Sequence, residues 1–111
     1  MTAEREEQVR GLLAELWLGN RPVALRRMAV VRAALERLGS CGLRDPERDE
    51  ALAEAHRLKG LLGTYGFAAG SDLAEEAEQV LEAGSGGVAT SALVARWAAY
   101  TRILAGDSPD G

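Results

Sequence analysis

The sequence predicts an all-α protein, an antiparallel four-helix bundle with an additional short N-terminal helix. Apolar residues recur at intervals of three and four along the chain, and no stretch shows the alternation typical of a strand. Glycine and proline interrupt these stretches at short intervals, which is typical of a bundle with short connections. Only 5% of the residues are aromatic, and alanine supplies much of the apolar content, so close helix packing is favoured over a β-sandwich.

Length and charge narrow the class of protein. A chain of 111 residues suits one domain, and we expect the bundle to span residues 1–106 and a frayed tail to follow at 107–111. A net charge of −4 without a basic run argues against nucleic-acid binding. The single cysteine, Cys41, permits neither an internal disulfide nor a zinc cluster. No signal peptide or membrane span is visible. We therefore expect a cytoplasmic monomer that contacts neither membrane nor nucleic acid.

The first two predicted helices are separated by Gly19 and Asn20. The first covers residues from about 3 to 18 and is expected to lie over one end of the bundle. Its apolar stripe consists of Val9, Leu12, Leu13 and Leu16. Asn20 is expected to cap the second helix, with Pro22 in the first turn. That helix ends at Gly39, and its inward residues are Met28, Val31, Leu35 and Leu38.

Asp45 and Pro46 predict the start of the third helix, with Asp45 as N-cap and proline at the first helical position. The helix is expected to run to Tyr65, with Gly66 as a left-handed C-cap. Its core stripe consists of Ala51, Ala55, Leu58, Leu62 and Tyr65.

The fourth predicted helix begins near Ser71 or Asp72, where Asp72 and Glu75 have the spacing of a capping box. Its inward residues are Leu73, Ala77, Val80 and Leu81. A glycine-rich turn over residues 84–87 separates it from the fifth helix, whose inward residues are Leu93, Trp97, Tyr100 and Leu104.

A second stripe of the third helix consists of His56, Lys59, Gly60 and Gly63. His56 is the only histidine of the chain and Lys59 the only lysine. Glycine inside a helix costs about 1 kcal/mol relative to alanine. The helix either ends at Gly60 or continues, and the apolar stripe favours continuation because Leu62 keeps the phase of the core. A bare backbone beside His56 then suggests close approach by another protein.

The run from Ala55 to Gly60, followed by Gly63 to Phe67, resembles the signature of histidine-containing phosphotransfer (HPt) domains. The residues that match its positions are His56, Leu58, Lys59, Gly60 and Gly66. The sequence departs from the pattern at Leu61 and Leu62, where many members have small or hydroxylated residues. This difference bears on packing and on the fit of a partner.

The resemblance implies a phosphorelay intermediate and an all-helical bundle. His56 would accept a phosphoryl group from a receiver-domain phospho-aspartate or pass it to one, and Lys59 would offset its charge. Arg57, Gly60 and Gly63 would form the docking surface. The partner would be a response-regulator receiver domain or a hybrid sensor histidine kinase. This chain would work on its own as a carrier without kinase activity or bound cofactor, and Mg²⁺ would come from the receiver.

Two other functions stay open at this stage. A docking module of the same fold could regulate a kinase or a response regulator without carrying phosphate. A small helical hydrolase or metal protein is disfavoured, because the sequence offers no cluster of ligands and no nucleophile–base pair. Three residues are candidates to reach the second ring nitrogen of His56: Glu75, Glu76 and Gln79. The acidic residues Glu75, Glu76, Glu78 and Glu82 are otherwise expected to form a solvated helix face.

Overall fold

The computed structural model describes residues 2–40, 42–84 and 88–106, and within these ranges the chain forms four helices and no strand. They are α1 (Ala3–Ser40), α2 (Asp45–Thr64), α3 (Ala68–Ala83) and α4 (Val88–Leu104). Helix α1 packs against α2 and α4, while α3 packs mainly against α2. The predicted all-α bundle of four helices is confirmed. Cys41, residues 85–87 of the predicted turn and the tail at 107–111 lie outside the described ranges.

The predicted break at Gly19 and Asn20 is wrong, because α1 runs through it without interruption. Asn20 does not cap a helix. Its side-chain amide donates to the Leu16 carbonyl at 2.8 Å and to the Tyr65 hydroxyl at 3.0 Å. Trp17 packs on Tyr65 and on Phe67, with ring centroids 5.6 and 4.6 Å apart. These contacts with the end of α2 favour one long helix over the local preferences of glycine and asparagine.

The core lies where the predicted stripes meet. All four predicted inward residues of the second helix are buried, and Trp97 of α4 is buried completely. Trp97 also donates its indole N–H to the Met28 carbonyl at 2.9 Å, which satisfies its one polar group inside the core. In α2, the predicted core residues Ala51, Ala55, Leu58 and Leu62 are buried and Tyr65 is half-buried. The core stripe of α2 therefore fixes which of its faces is turned outward.

The sharp corner between α2 and α3 is built on Gly66. Its φ of +82° is left-handed, as predicted for the C-cap glycine. Gly66 N–H donates to the Gly63 carbonyl at 3.2 Å, and Phe67 N–H donates to the Leu62 carbonyl at 2.8 Å. This pair of hydrogen bonds is a Schellman motif. The corner leads directly into α3.

Two predicted helix starts are displaced. Helix α2 begins at Asp45 itself, after Arg44 as N-cap, and the Asp45 carboxylate contacts Arg48 at 3.3 Å instead of capping the helix. Helix α3 begins at Ala68, so Asp72 and Glu75 lie inside it and the predicted capping box is wrong. The reason is the tight corner at Gly66, which lets α3 start three residues before Ser71.

Candidate functional site

His56 lies in the middle of α2 on the face turned away from the core. Its side chain is 72% exposed, whereas its neighbours Ala55 and Leu58 are fully buried. Helix α2 continues through Gly60 to Thr64. The alternative of a helix that ends at Gly60 is therefore excluded.

Lys59 and His56 converge on one carboxylate, that of Glu78 in α3. Lys59 Nζ lies 3.3 Å from Glu78 Oε1, and His56 Nδ1 lies 3.6 Å from the same oxygen. The second distance exceeds hydrogen-bond length, so this contact is electrostatic. Glu78 Oε1 is buried and makes no hydrogen bond of good geometry. The carboxylate therefore faces an ammonium and an imidazole nitrogen at close range.

The sequence did not single out Glu78 as the carboxylate beside His56, and the three residues expected there do not contact the imidazole. Glu76 instead pairs with Arg96 of α4, at 2.6 Å, while Glu75 and Gln79 are exposed. The relevant signal was the spacing of Ser71 and Glu78, seven residues apart on one side of the buried residues of α3. That side faces α2, because the Ser71 hydroxyl donates to the Lys59 carbonyl at 3.0 Å.

Gly60 and Gly63 are both exposed beside His56. A Cβ atom added to Gly60 would meet nothing within 4 Å, and one added to Gly63 would meet only the Ser71 hydroxyl, at 3.6 Å. This is an ordinary contact distance. Neither glycine is therefore required for packing between helices, and together they leave the backbone of α2 bare next to the imidazole.

Arg57 is not part of the His56–Lys59–Glu78 cluster. Its guanidinium contacts Glu54 at 2.6 Å, one turn back along α2, and Glu54 also contacts Arg27 of α1 at 3.3 Å. The Arg57 side chain is 58% exposed. It therefore lies on the α1 side of the outward face, whereas Lys59 and Glu78 lie on the α3 side.

The match to known families decides the identity of the bundle. The Hpt domain family matches residues 23–106, a range that holds all of α2, α3 and α4. The chain belongs to the Hpt domain family. Neither the curated proteins nor the solved structures give a significant match.

Hpt domains are phosphocarrier modules of two-component signalling, and they interact with receiver domains or kinases. The exposed histidine on α2 lies inside the part of the chain that matches the Hpt family. Over the described residues, no group of three or more histidine, cysteine, aspartate or glutamate side chains is placed to hold a metal ion. None of the helices in that part of the chain is both long and apolar enough to cross a membrane.

Proposed function

We propose that His56 is the phospho-acceptor of this Hpt domain. It would take a phosphoryl group from the phospho-aspartate of a receiver domain, return one to such an aspartate, or do both. The observation that carries the proposal is the exposed imidazole with Nδ1 turned toward Glu78 and Lys59 one helical turn away.

The Glu78 carboxylate selects the reactive nitrogen. A carboxylate near Nδ1 favours the tautomer with the proton on that nitrogen, which leaves the lone pair on Nε2. Nε2 is then the nucleophile that attacks phosphorus. The P–N bond forms as the bond between phosphorus and the aspartyl oxygen breaks, and the aspartate leaves as a carboxylate.

The charges of the cluster suit this transfer. Phosphorylation at Nε2 leaves a positive charge on the ring while the proton stays on Nδ1, and the nearby Glu78 carboxylate stabilises that charge. The Lys59 ammonium offsets the charge of the phosphoryl oxygens. Phosphoryl transfer depends mainly on such positioning and charge neutralisation.

The remaining machinery belongs to the partner. We place Mg²⁺ and the aspartate in a response-regulator receiver domain, either free or attached to a hybrid sensor kinase. This chain acts as a carrier without kinase activity, in the cytoplasm. Because Gly60 and Gly63 have no side chains, the receiver can approach the backbone of α2 closely beside His56. Arg57 lies on the α1 side of the same docking surface.

The test is transfer of labelled phosphate from a phosphorylated receiver domain to the full chain. We expect label on this chain that is stable in base and lost in acid, as for a phosphohistidine. A docking module without phosphotransfer would instead bind the receiver and remain unlabelled. That outcome would overturn the proposal.

Removing the Glu78 carboxylate is expected to change the tautomer of His56. In Glu78→Ala, the proton should shift from Nδ1 toward Nε2. Phosphorylation by phosphoramidate should slow by roughly two- to fivefold, as for loss of one charge interaction with a largely exposed side chain. Nitrogen NMR reads the tautomer directly, because the chain has a single histidine.

The matched controls are Glu78→Gln and Glu75→Ala. The glutamine variant keeps an acceptor oxygen and should restore part of the Nδ1–H population. Glu75 is exposed on the same helix, so its removal should leave the tautomer unchanged. Equal effects of Glu75→Ala and Glu78→Ala would contradict the positioning role of Glu78.

A side chain added at Gly60 is expected to impair transfer from the receiver but not phosphorylation by a small donor. Gly60→Gln should be tolerated, since a Cβ there meets nothing within 4 Å, and should add several tenths of a kcal/mol of helix stability. A side chain beside His56 should nonetheless hold the receiver away and slow transfer by at least roughly tenfold, because in-line transfer tolerates little displacement.

Gly11→Gln is the matched control for this variant. Gly11 is also an exposed glycine inside a helix with nothing within 4 Å of its added Cβ, but it lies in α1 away from the site. Both variants should accept phosphate from phosphoramidate, which needs no docking surface. Normal transfer from the receiver to Gly60→Gln would show that the receiver does not pass over this glycine.

A further inference from the structure

Helix α3 contacts Lys59 both at its backbone and at its ammonium group. The Lys59 carbonyl accepts a hydrogen bond from the Ser71 hydroxyl at 3.0 Å, and Lys59 Nζ lies 3.3 Å from the Glu78 carboxylate. The first contact ties the backbone of α2 to α3 at this position. The second holds only the end of a flexible side chain that is 34% exposed. A change of partner by the ammonium therefore needs rotation of this side chain and no movement of either helix.

The ammonium of Lys59 lies beside the ring nitrogen that keeps its proton in the proposed reaction. Lys59 Nζ and His56 Nδ1 face the same oxygen, Glu78 Oε1, whereas the phosphoryl group is attached to Nε2. The Glu78 carboxylate therefore draws the only lysine of the chain away from the lone pair of Nε2. An ammonium that donated a hydrogen bond to this lone pair would hinder its attack on phosphorus.

Phosphorylation of His56 changes which charges suit each other best. A phosphorylated side chain carries about −1.5 to −2 charges at neutral pH and has three acceptor oxygens, so it attracts an ammonium more strongly than one carboxylate does. The imidazole becomes a cation when Nε2 is phosphorylated and the proton stays on Nδ1. This cation faces Glu78 across the 3.6 Å contact and can replace Lys59 there. Each anionic group then keeps one cationic partner.

We propose that Lys59 exchanges partners when His56 is phosphorylated. In the free chain Glu78 binds the ammonium, and in the phosphorylated chain the ammonium binds the phosphoryl oxygens while Glu78 stabilises the ring cation. Arg57 does not take this part, because its guanidinium is held 2.6 Å from Glu54 on the α1 side. The exchange rests on the proposed phosphorylation of His56. It gives Glu78 a role beyond its effect on the tautomer, since it keeps the ammonium off Nε2 until phosphate arrives.

The first test uses the free full chain and needs no phosphate. The chain has one lysine and one histidine, so the NMR signals of both side chains are assigned without ambiguity. A nuclear Overhauser effect should join the Lys59 ε-protons to the γ-protons of residue 78. It should weaken by at least about twofold in Glu78→Gln, because the amide carries no charge.

Glu75→Gln is the matched control for this test. Glu75 is exposed on the same helix, so its substitution should leave the Overhauser effect unchanged. Circular dichroism should show the bundle folded in both variants. Absence of the effect from the wild-type chain, or an equal loss in the two variants, would overturn the proposal.

The second test repeats the measurement after phosphorylation by phosphoramidate, which releases ammonia as its P–N bond breaks and the bond to Nε2 forms. The Overhauser effect between Lys59 and Glu78 should fall. A new one should appear between the Lys59 ε-protons and Hδ2 of His56, the ring proton on the carbon next to Nε2 alone. A chain that takes no label would overturn the phosphorylation of His56 and the exchange together. A chain labelled on His56 whose contact between Lys59 and Glu78 is unchanged would overturn the exchange alone.

Discussion

His56→Gln is expected to abolish acceptance of phosphate from both a receiver domain and phosphoramidate. The chain has no second histidine to take over, and a glutamine amide nitrogen has no available lone pair for attack on phosphorus. The loss should be complete within the sensitivity of the label, which makes this the largest effect on activity that we predict. Autoradiography after separation from the donor measures it.

The same variant should keep the bundle intact. The imidazole is 72% exposed, and surface substitutions generally change stability by less than about 0.5 kcal/mol. Arg57→Gln is the matched control with phosphoramidate, which needs no docking surface, since Arg57 is the next residue, is 58% exposed and should retain its label from this donor. Label on His56→Gln would refute the assignment of the acceptor. A large drop in its Tm would instead mean that the imidazole contributes to packing.

The sequence predicts the acceptor helix well because its signals are local. The core stripe of α2 follows from helical periodicity. The end of the helix is predicted by Gly66, because glycine adopts the left-handed conformation of a C-cap at no steric cost. His56 and Lys59 then follow as residues on the opposite, outward part of the same helix. No knowledge of neighbouring helices is needed for any of these steps.

The parts that could not be predicted depend on what a helix packs against. The sequence predicts Asn20 as a helix N-cap. Its side chain instead hydrogen-bonds Tyr65, 45 positions away in the chain, and local sequence patterns do not reveal such a contact. Glu78 differs from Glu75 only in the neighbour that its side of α3 faces. For Leu12 and Leu16, periodicity indicates an apolar face but not that both side chains stay exposed.

Gly70 in the first turn of α3 is a further residue that periodicity does not single out. It is buried, and a Cβ atom added there would lie 2.5 Å from Tyr100 Cε1 and 2.9 Å from Leu62 Cδ1. The Tyr100 side-chain oxygen also accepts a hydrogen bond from the Gly70 backbone. Burial raises the pKa of Tyr100, and this hydrogen bond opposes the rise. The tyrosine ring of α4 therefore lies directly on the bare backbone of α3.

Gly70→Ala is accordingly expected to destabilise the bundle, although alanine is the better helix former. Leu62 is fully buried and the ring is held by its hydroxyl, so neither can move aside freely. Overpacking of this kind costs about 1–3 kcal/mol, which should lower the Tm by roughly 4–8 °C for each kcal/mol in a domain of this size. Thermal unfolding followed by circular dichroism measures the change.

Gly60→Ala provides the control of opposite sign. It makes the same substitution in a helix where the added Cβ meets nothing within 4 Å, so it should raise the Tm through helix propensity alone. Replacing the Tyr100 ring by a smaller side chain should also reduce the destabilisation caused by Gly70→Ala. The cost of Gly70→Ala should be smaller in a Tyr100→Leu background than in the wild type, because residues in contact are not additive. If Gly70→Ala raises the Tm as Gly60→Ala does, the close approach of Tyr100 to α3 does not depend on the absence of a side chain at position 70. The contact would then not require glycine.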